Sequence, residues 1–226
     1  MKLTATRERY PDGTPVQNLE ERIAFIEKHG LNSENILRLN PALNSIERMT
    51  ENIEFISNLG LSNKVFERVP QLFICSIENN LEPKVEYIND LGLSNKVFER
   101  VPQLFSYSIE NNLEPKVEYI NDLGLSNKVF ERFPQLFNLS IENNLEPKVE
   151  YINDLGLSNK VFERVPRLFS YSMKNRIWPR SELLREAGFD AGEELMKHIS
   201  LPNHRFEAKY GILEREIFEK AAEYQS

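Results

Sequence analysis

The sequence has little of what builds a disulfide-linked, metal-binding or membrane protein. Its 226 residues include one cysteine, Cys75, so no disulfide can form within the chain and a cysteine-based zinc site is unsupported. The three histidines, His29, His198 and His204, are scattered, and the last two are too poorly spaced to share one helix face. No apolar run approaches the ~18 residues that a membrane-spanning helix needs. We therefore expect no metal, no cofactor and no membrane segment.

The sequence also lacks the short motifs around which catalytic sites are commonly built. It has no Gly-x-Gly-x-x-Gly, no phosphate-binding Walker loop, no Cys-x-x-Cys and no His-Glu-x-x-His. Its first residues show no apolar secretory signal, and Glu8 and Asp12 fit poorly with an acid-poor transit peptide. These absences predict a protein that is not an enzyme and a chain without a presequence.

A repeated phrase dominates the remainder of the sequence. Leu61, Leu93, Leu125 and Leu157 each open the phrase Leu-Ser-Asn-Lys-Val-Phe-Glu-Arg, and each lies 32 residues after the one before. A fixed period of this length indicates stacked copies of one supersecondary unit, because a single copy cannot bury its apolar face alone. The period predicts an all-α solenoid with a superhelical path.

Within one copy the pattern predicts two helices and a short turn. Leu81, Val85 and Ile88 form an apolar stripe on a first helix that has Pro83 in its first turn and ends at Gly92. Ser94 is placed to cap a shorter second helix, which should end before the sequence Pro102–Phe105, a brief turn or 3₁₀-helix. The pattern favours neither helix nor irregular backbone for the lead-in to the next first helix.

The copies suggest three parts of the chain. Residues 1–17 are predicted to be an N-terminal arm, residues 18–190 an array of five or six units, and residues 191–226 a helical cap. The flanking copies are degenerate, as terminal repeats usually are.

The repeated residues resemble the mitochondrial transcription termination factor (mTERF) family. The resemblance is carried by Pro-x-Leu-Phe at 70, 102, 134 and 166, by Ser-Ile-Glu-Asn-Asn-Leu-Glu-Pro-Lys-Val-Glu-Tyr-Ile and Leu-Gly-Leu-Ser, and by a closing segment that contains Phe169 to Ser172, Arg176-Ile177, Pro179-Arg180, Leu183-Leu184, Gly188, Phe206 and Tyr210. It implies a superhelix of units with two antiparallel helices and a transverse short helix. It also implies a non-enzymatic protein that binds double-stranded DNA, or RNA, and acts in gene expression in a mitochondrion or plastid. The lack of a presequence leaves a cytoplasmic location open.

The charge of this chain departs from that family. The net charge is −7, and residues 76–107 carry five acidic and three basic side chains. Phosphate binding requires basic side chains. We therefore define a basic ladder on the second helices, extended toward the C-terminus, as the candidate nucleic-acid site: Lys64, Arg68, Lys96, Arg100, Lys128, Arg132, Lys160, Arg164, Arg167, Arg176 and Arg180.

Two alternatives remain open at this point. The ladder cations could instead pair with nearby carboxylates such as Glu99, Glu86 or Asp90 as ordinary surface ion pairs. The acidic residues of the first helices could instead make the chain a protein-binding scaffold for a basic partner. In either case a monomer is expected.

The copies differ mainly in the two residues that precede each repeated serine. These variable pairs are Ile74-Cys75, Ser106-Tyr107, Asn138-Leu139 and Ser170-Tyr171. A constant frame with a variable pair is typical of repeat proteins that read one base per unit, which gives a hypothesis for base selection. Ordinary packing of the second residue is the alternative.

Overall fold

The computed structural model describes residues 18–39, 45–189, 192 and 194–224 as α-helices, 3₁₀-helices and short π-helical turns, joined by loops. Within these residues there is no β-strand. The helices recur at the 32-residue spacing of the sequence, which confirms the predicted all-α fold of repeated helical units. The predicted N-terminal arm, residues 1–17, lies outside the described residues.

The chain divides into two compact units, Met1–Asn111 and Asn112–Ser226. The division falls within the π-helical turn Ile109–Leu113, inside the segment predicted as one array. The boundaries proposed for the arm, the array and the cap stay predictions.

The described part of the first unit contains α1 (Leu19–Lys28), α2 (Ser33–Leu39), α3 (Ile46–Asn58), α4 (Val65–Arg68), α5 (Glu82–Asp90) and α6 (Lys96–Arg100). 3₁₀-helices follow α4 and α6 at Pro70–Phe73 and Pro102–Ser106, and the π-helical turn Ile77–Leu81 leads into α5.

The second unit continues the same order. It contains α7 (Glu114–Asp122), α8 (Lys128–Arg132), α9 (Glu146–Asp154), α10 (Lys160–Arg164) and α11 (Trp178–Glu186), with 3₁₀-helices at Pro134–Asn138 and Pro166–Ser170 and π-helical turns at Ile141–Leu145 and Met173–Ile177. Three helices follow: α12 (Glu194–Ile199), α13 (Asn203–Tyr210) and α14 (Glu214–Ala221).

The first helix of a copy begins and ends as the sequence predicts. In α5, Pro83 occupies the first turn, where its missing N–H costs no helical hydrogen bond. Gly92 has a φ of 73°, and the Leu93 N–H donates to Ile88 O at 3.2 Å to close the helix end. The lead-in is a π-helical turn whose Ser76 Oγ accepts from the Asn79 N–H at 3.2 Å.

The second helix is short, and a stacked pair of aromatic rings packs it against the 3₁₀-helix that follows. Phe98 of α6 stacks on Phe105 with ring centroids 4.1 Å apart, and both side chains are fully buried. The predicted serine cap is not the N-cap, because the second helices begin one residue later, after Asn95, Asn127 and Asn159. Ser126 and Ser158 instead accept from the N–H groups of Lys128 and Lys160 in the turn before the helix. A five-residue helix is unstable alone, so burial of the phenylalanines must stabilise it.

One position of the first helix carries a buried hydrogen-bond donor in successive copies: Asn52, Lys84, Lys116, Lys148 and Arg180, each 32 residues after the last. Lys148 Nζ donates to Asn144 O at 3.1 Å and to Phe169 O at 2.8 Å. It therefore ties α9 to the end of the 3₁₀-helix that closes the same copy.

Candidate nucleic-acid interface

The predicted basic ladder lies along the second helices. Its eight repeated members are all exposed: Lys64, Arg68, Lys96, Arg100, Lys128, Arg132, Lys160 and Arg164. Exposure would allow these side chains to meet a phosphate group. Their hydrogen bonds show, however, that several of them also serve the fold.

Arginines of the ladder bind the helix end of the next copy. In the first unit, Arg68 Nη1 donates to Glu99 O and Arg68 Nη2 to Arg100 O, both at 3.1 Å. In the second unit, Arg132 donates in the same way to the carbonyl oxygens of the equivalent residues, Glu163 and Arg164. These carbonyls lie at the negative end of a helix and have no partner within it, so a planar guanidinium satisfies two of them at once. Arg68 and Arg132 thus join successive second helices.

The glutamate of the second helix completes this junction. The Ser62 N–H donates to Glu99 Oε2 at 2.7 Å, and the Ser126 N–H donates to Glu163 Oε1 at 2.7 Å. The bond from the Ser126 N–H, more than the nearby Lys160 and Arg132, lowers the pKa of the Glu163 carboxyl. In these bonds the earlier copy donates and the later copy accepts.

Lys160 of the ladder is also engaged. Its Nζ donates to Gly124 O at 2.6 Å and lies 3.4 Å from Glu163 Oε1. The alternative in which a ladder cation pairs with the neighbouring glutamate is therefore correct for Lys160. In the first unit, a groove of about 350 Å³ lies along the equivalent junction and is lined in part by Lys96, Glu99 and Arg100. A phosphate group in that groove would meet the Glu99 carboxylate as well as the two cations.

The prediction that Arg180 extends an exposed groove is wrong, because its side chain is 1% exposed. Arg180 occupies the buried donor position of its copy, and its Nη1 donates to Ile199 O at 2.8 Å and to Leu201 O. The guanidinium carbon lies 4.4 Å from the centroid of the Phe206 ring. Burial, with the nearby Arg176 charge, lowers the pKa of Arg180 to about 10, which leaves the group charged at neutral pH. Arg180 holds the closing segment in place.

Arg176 is half-buried and has a similar task. It donates to Ser200 O at 3.2 Å and to Leu201 O at 2.8 Å, and its guanidinium carbon lies 4.0 Å from the centroid of the Tyr171 ring. It also lines a cleft of about 420 Å³ together with Asn203 and Phe218. Arg176 is therefore only partly available to a ligand.

Arg167 and Lys174 are two cations of the second unit without a structural task. Both are exposed, and neither side chain makes a hydrogen bond or ion pair within the part of the chain that the structure describes. Arg167 lies on the 3₁₀-helix Pro166–Ser170, and Lys174 on the π-helical turn Met173–Ile177. Lys174 was not predicted from the sequence, although it stands where the preceding copy has Glu142.

The acidic side chains of the first helices form a second exposed set: Glu82, Glu86 and Asp90 on α5, Glu114, Glu118 and Asp122 on α7, and Glu146, Glu150 and Asp154 on α9. No ion pair with a lysine or arginine involves these carboxylates among the described residues. Burial, together with the charges of Glu146 and Glu150, raises the pKa of the Tyr119 phenol to about 12. The carboxylates of α9 therefore influence a side chain of α7. We call the exposed carboxylates of these first helices the acidic surface.

A model of the mTERF family matches residues 3–207 of the chain. The chain belongs to the mTERF family. Its members are generally non-enzymatic helical-repeat proteins that bind nucleic acid. No curated protein matches the sequence.

In this mTERF chain the two residues of each variable pair differ in exposure. The first residues, Ile74, Ser106, Asn138 and Ser170, are exposed, whereas the second residues, Cys75, Tyr107, Leu139 and Tyr171, are half-buried. Burial raises the pKa of the Cys75 thiol, as expected of a packed and unreactive side chain. The second residues therefore contribute to packing, and the first residues are the more accessible to a ligand.

The described part of the mTERF chain shows no cluster of three or more His, Cys, Asp or Glu side chains that could hold a metal ion. Within the same residues, no helix is both long and apolar enough to cross a membrane.

Proposed function

We propose that this mTERF protein binds nucleic acid, with double-stranded DNA as the first candidate and RNA as the second, and acts in transcription or another step of gene expression. The proposal rests on family membership and on one feature of the structure, the exposed cations Arg167 and Lys174. The protein is proposed to act as a monomer.

The repeated residues become strongly basic near the C-terminal end of the ladder. Residues 160–180 contain six basic residues and one acidic residue, whereas the equivalent residues 128–148 contain three of each. The change arises at four positions, where Gln135, Glu142, Asn144 and Glu146 are replaced by Arg167, Lys174, Arg176 and Trp178. A local net charge of +5 within a chain of net charge −7 would concentrate a polyanion at this segment.

The contacts can be tested by returning two residues to those of the preceding copy. Arg167→Gln with Lys174→Glu installs side chains that the same fold already carries at 135 and 142. The assay is fluorescence anisotropy with duplex DNA, single-stranded DNA and RNA, each titrated over a salt series. Loss of two phosphate contacts should lower the slope of log affinity against log salt by about 1.8 for duplex DNA, and by about 0.9 if Arg167 meets a base rather than a phosphate. Extrapolated from 1 M salt, the larger value corresponds to roughly a 60-fold loss of affinity at 0.1 M salt.

The matched control is Lys64→Gln with Lys96→Glu, which changes the net charge by the same amount on exposed second-helix residues. We expect this control to lose clearly less affinity. Equal loss in both variants would show that net charge, rather than the segment 160–180, governs binding. No binding of the wild-type protein at low salt would refute the proposed function.

The acidic surface supports a second candidate function, a scaffold that binds a basic protein. Its carboxylates are exposed and unpaired with cations among the described residues, so they remain available to a lysine-rich partner. Titration with a lysine-rich peptide would test this candidate, with Glu118→Gln and Glu150→Gln together as the variant. Binding that is equally tight in that variant would refute it.

A further inference from the structure

Three copies of the repeat are nearly identical, and their differences are confined to one short segment. Residues 76–107, 108–139 and 140–171 differ at four positions only. In the three copies these are Val101, Phe133 and Val165; Gln103, Gln135 and Arg167; Ser106, Asn138 and Ser170; and Tyr107, Leu139 and Tyr171. All four positions lie in or beside the 3₁₀-helix of the copy.

The structure separates these four positions into a packed pair and a surface pair. Val101 and Phe133 are buried, and Tyr107 and Leu139 are half-buried. These differences repack the interior.

The other two positions are the second and fifth residues of the 3₁₀-helix. A 3₁₀-helix has three residues per turn, so residues three apart lie directly above one another. Gln103 and Ser106 therefore share one edge of the helix Pro102–Ser106, and Arg167 and Ser170 share the same edge of Pro166–Ser170. Ser106, Asn138, Arg167 and Ser170 are exposed, whereas Gln103 and Gln135 are half-buried.

The side chains on these edges are amides, hydroxyls and a guanidinium. Such groups read the edges of nucleobases: Gln and Asn pair with adenine, Arg pairs with guanine, and Ser donates to or accepts from either. Gln103 and Arg167 make no side-chain hydrogen bond within the described structure. Gln135 Oε1 has no partner there but is buried, so this amide would have to turn outward to meet a base, whereas Arg167 and Asn138 are already exposed. Ser170 Oγ donates to Arg167 O at 2.7 Å, which fixes the two residues of that edge next to each other.

We propose that the second and fifth residues of each 3₁₀-helix determine base specificity, and we name them the reading edge: Gln103 with Ser106, Gln135 with Asn138, and Arg167 with Ser170. This inference rests on the proposed function and replaces the variable pair as the base-selecting unit. The constant residues of each copy maintain its fold, while the residues of the reading edge determine which base that copy prefers.

The test uses swaps between copies, so that every new side chain already occurs at the equivalent position of this protein. The edge variant is Gln135→Arg with Asn138→Ser, which gives residues 108–139 the reading edge of residues 140–171. The packing variant is Phe133→Val with Leu139→Tyr, which exchanges the packed pair alone. Each protein selects ligands from a pool with a randomised central segment, made of the type of nucleic acid that the wild-type protein binds in the salt series. The selected sequences are then compared by competition.

We expect the edge variant to change the preferred base at one place in the selected sequence, with a shift in relative affinity of about tenfold or more. The packing variant should select the wild-type sequence. An unchanged preference in the edge variant, or salt-dependent wild-type binding that selects no sequence, would overturn the inference while leaving the proposed function intact. A preference altered by the packing variant alone would also overturn it. Absence of any wild-type binding would instead refute the proposed function itself.

Discussion

Replacing Arg68 by alanine should destabilise the protein even though the side chain is exposed. Arg68 donates two hydrogen bonds at 3.1 Å to the carbonyls of Glu99 and Arg100. Each hydrogen bond contributes about 0.5–1.5 kcal/mol, and a cation at a helix C-terminus adds about 0.3–1 kcal/mol. Exposure to water places the combined effect toward the lower end of this range, at about 1–2 kcal/mol. Urea unfolding followed by circular dichroism would measure the loss as a lower midpoint with an unchanged slope.

Lys64→Ala is the matched control, because it removes one exposed positive charge four residues earlier without removing the two bonds to the next copy. We expect this control to change the free energy of unfolding by no more than about 0.5 kcal/mol. Arg68→Lys should fall between the two, since an ammonium keeps the charge but cannot span two carbonyls as the guanidinium does. If Arg68→Ala and Lys64→Ala unfold at the same urea concentration, Arg68 does not hold the junction between copies.

Three further changes test other parts of the fold. Burial lowers the pKa of Lys148 to about 8 from a value near 10.5, so the unfolded chain binds more protons between these values and stability should rise with pH. The free energy of unfolding should rise by about 2 kcal/mol between pH 8 and pH 10 because of Lys148, and urea unfolding should show that Lys148→Met lacks this rise. Parallel pH profiles for the wild type and Lys148→Met would contradict the lowered pKa of Lys148. Arg180→Ala should cost about 2–4 kcal/mol, because carbonyls including Ile199 O lose their donor; unchanged resistance to limited proteolysis near residue 199 would argue against it. Gly92→Ala should cost about 1 kcal/mol from its φ of 73° alone, since no atom lies within 4 Å of the added Cβ, and a thermal midpoint equal to that of the wild type would refute this.

Much of the repeat could be predicted from the sequence because its signals are local. Pro83, Gly92 and Pro102 act on the backbone within one or two residues, so the ends of the helices follow from them. The 32-residue period also predicts that the copies stack, because this prediction does not require knowing which side chains are in contact. The π-helical lead-in was not predictable in this way, because no residue of Ile77–Leu81 distinguishes it from an ordinary helical turn.

The tasks of the cations could not be predicted, because they depend on contacts far apart in the chain. Arg68 reaches carbonyls 31 and 32 residues later, and that contact exists only once two copies are stacked. The buried lysine does leave a signal in the sequence. Lys84 lies three residues after Leu81 and four before Ile88, so it falls on the apolar stripe of its own helix. A lysine on an apolar stripe that recurs at Lys84, Lys116 and Lys148 can be recognised from the sequence before the structure is known.

Because several residues of the basic ladder hold successive copies together, substitutions in the ladder can affect stability as well as binding. A variant that removes several ladder arginines, including Arg132, would loosen the junction between second helices as well as any phosphate contact. Loss of binding in such a variant would be ambiguous. Arg167 and Lys174 avoid this difficulty, because neither takes part in the described junctions and each has a natural replacement in the preceding copy. Residues that the repeat needs for stacking must recur in every copy, so functional differences between copies should fall on the residues that stacking does not use.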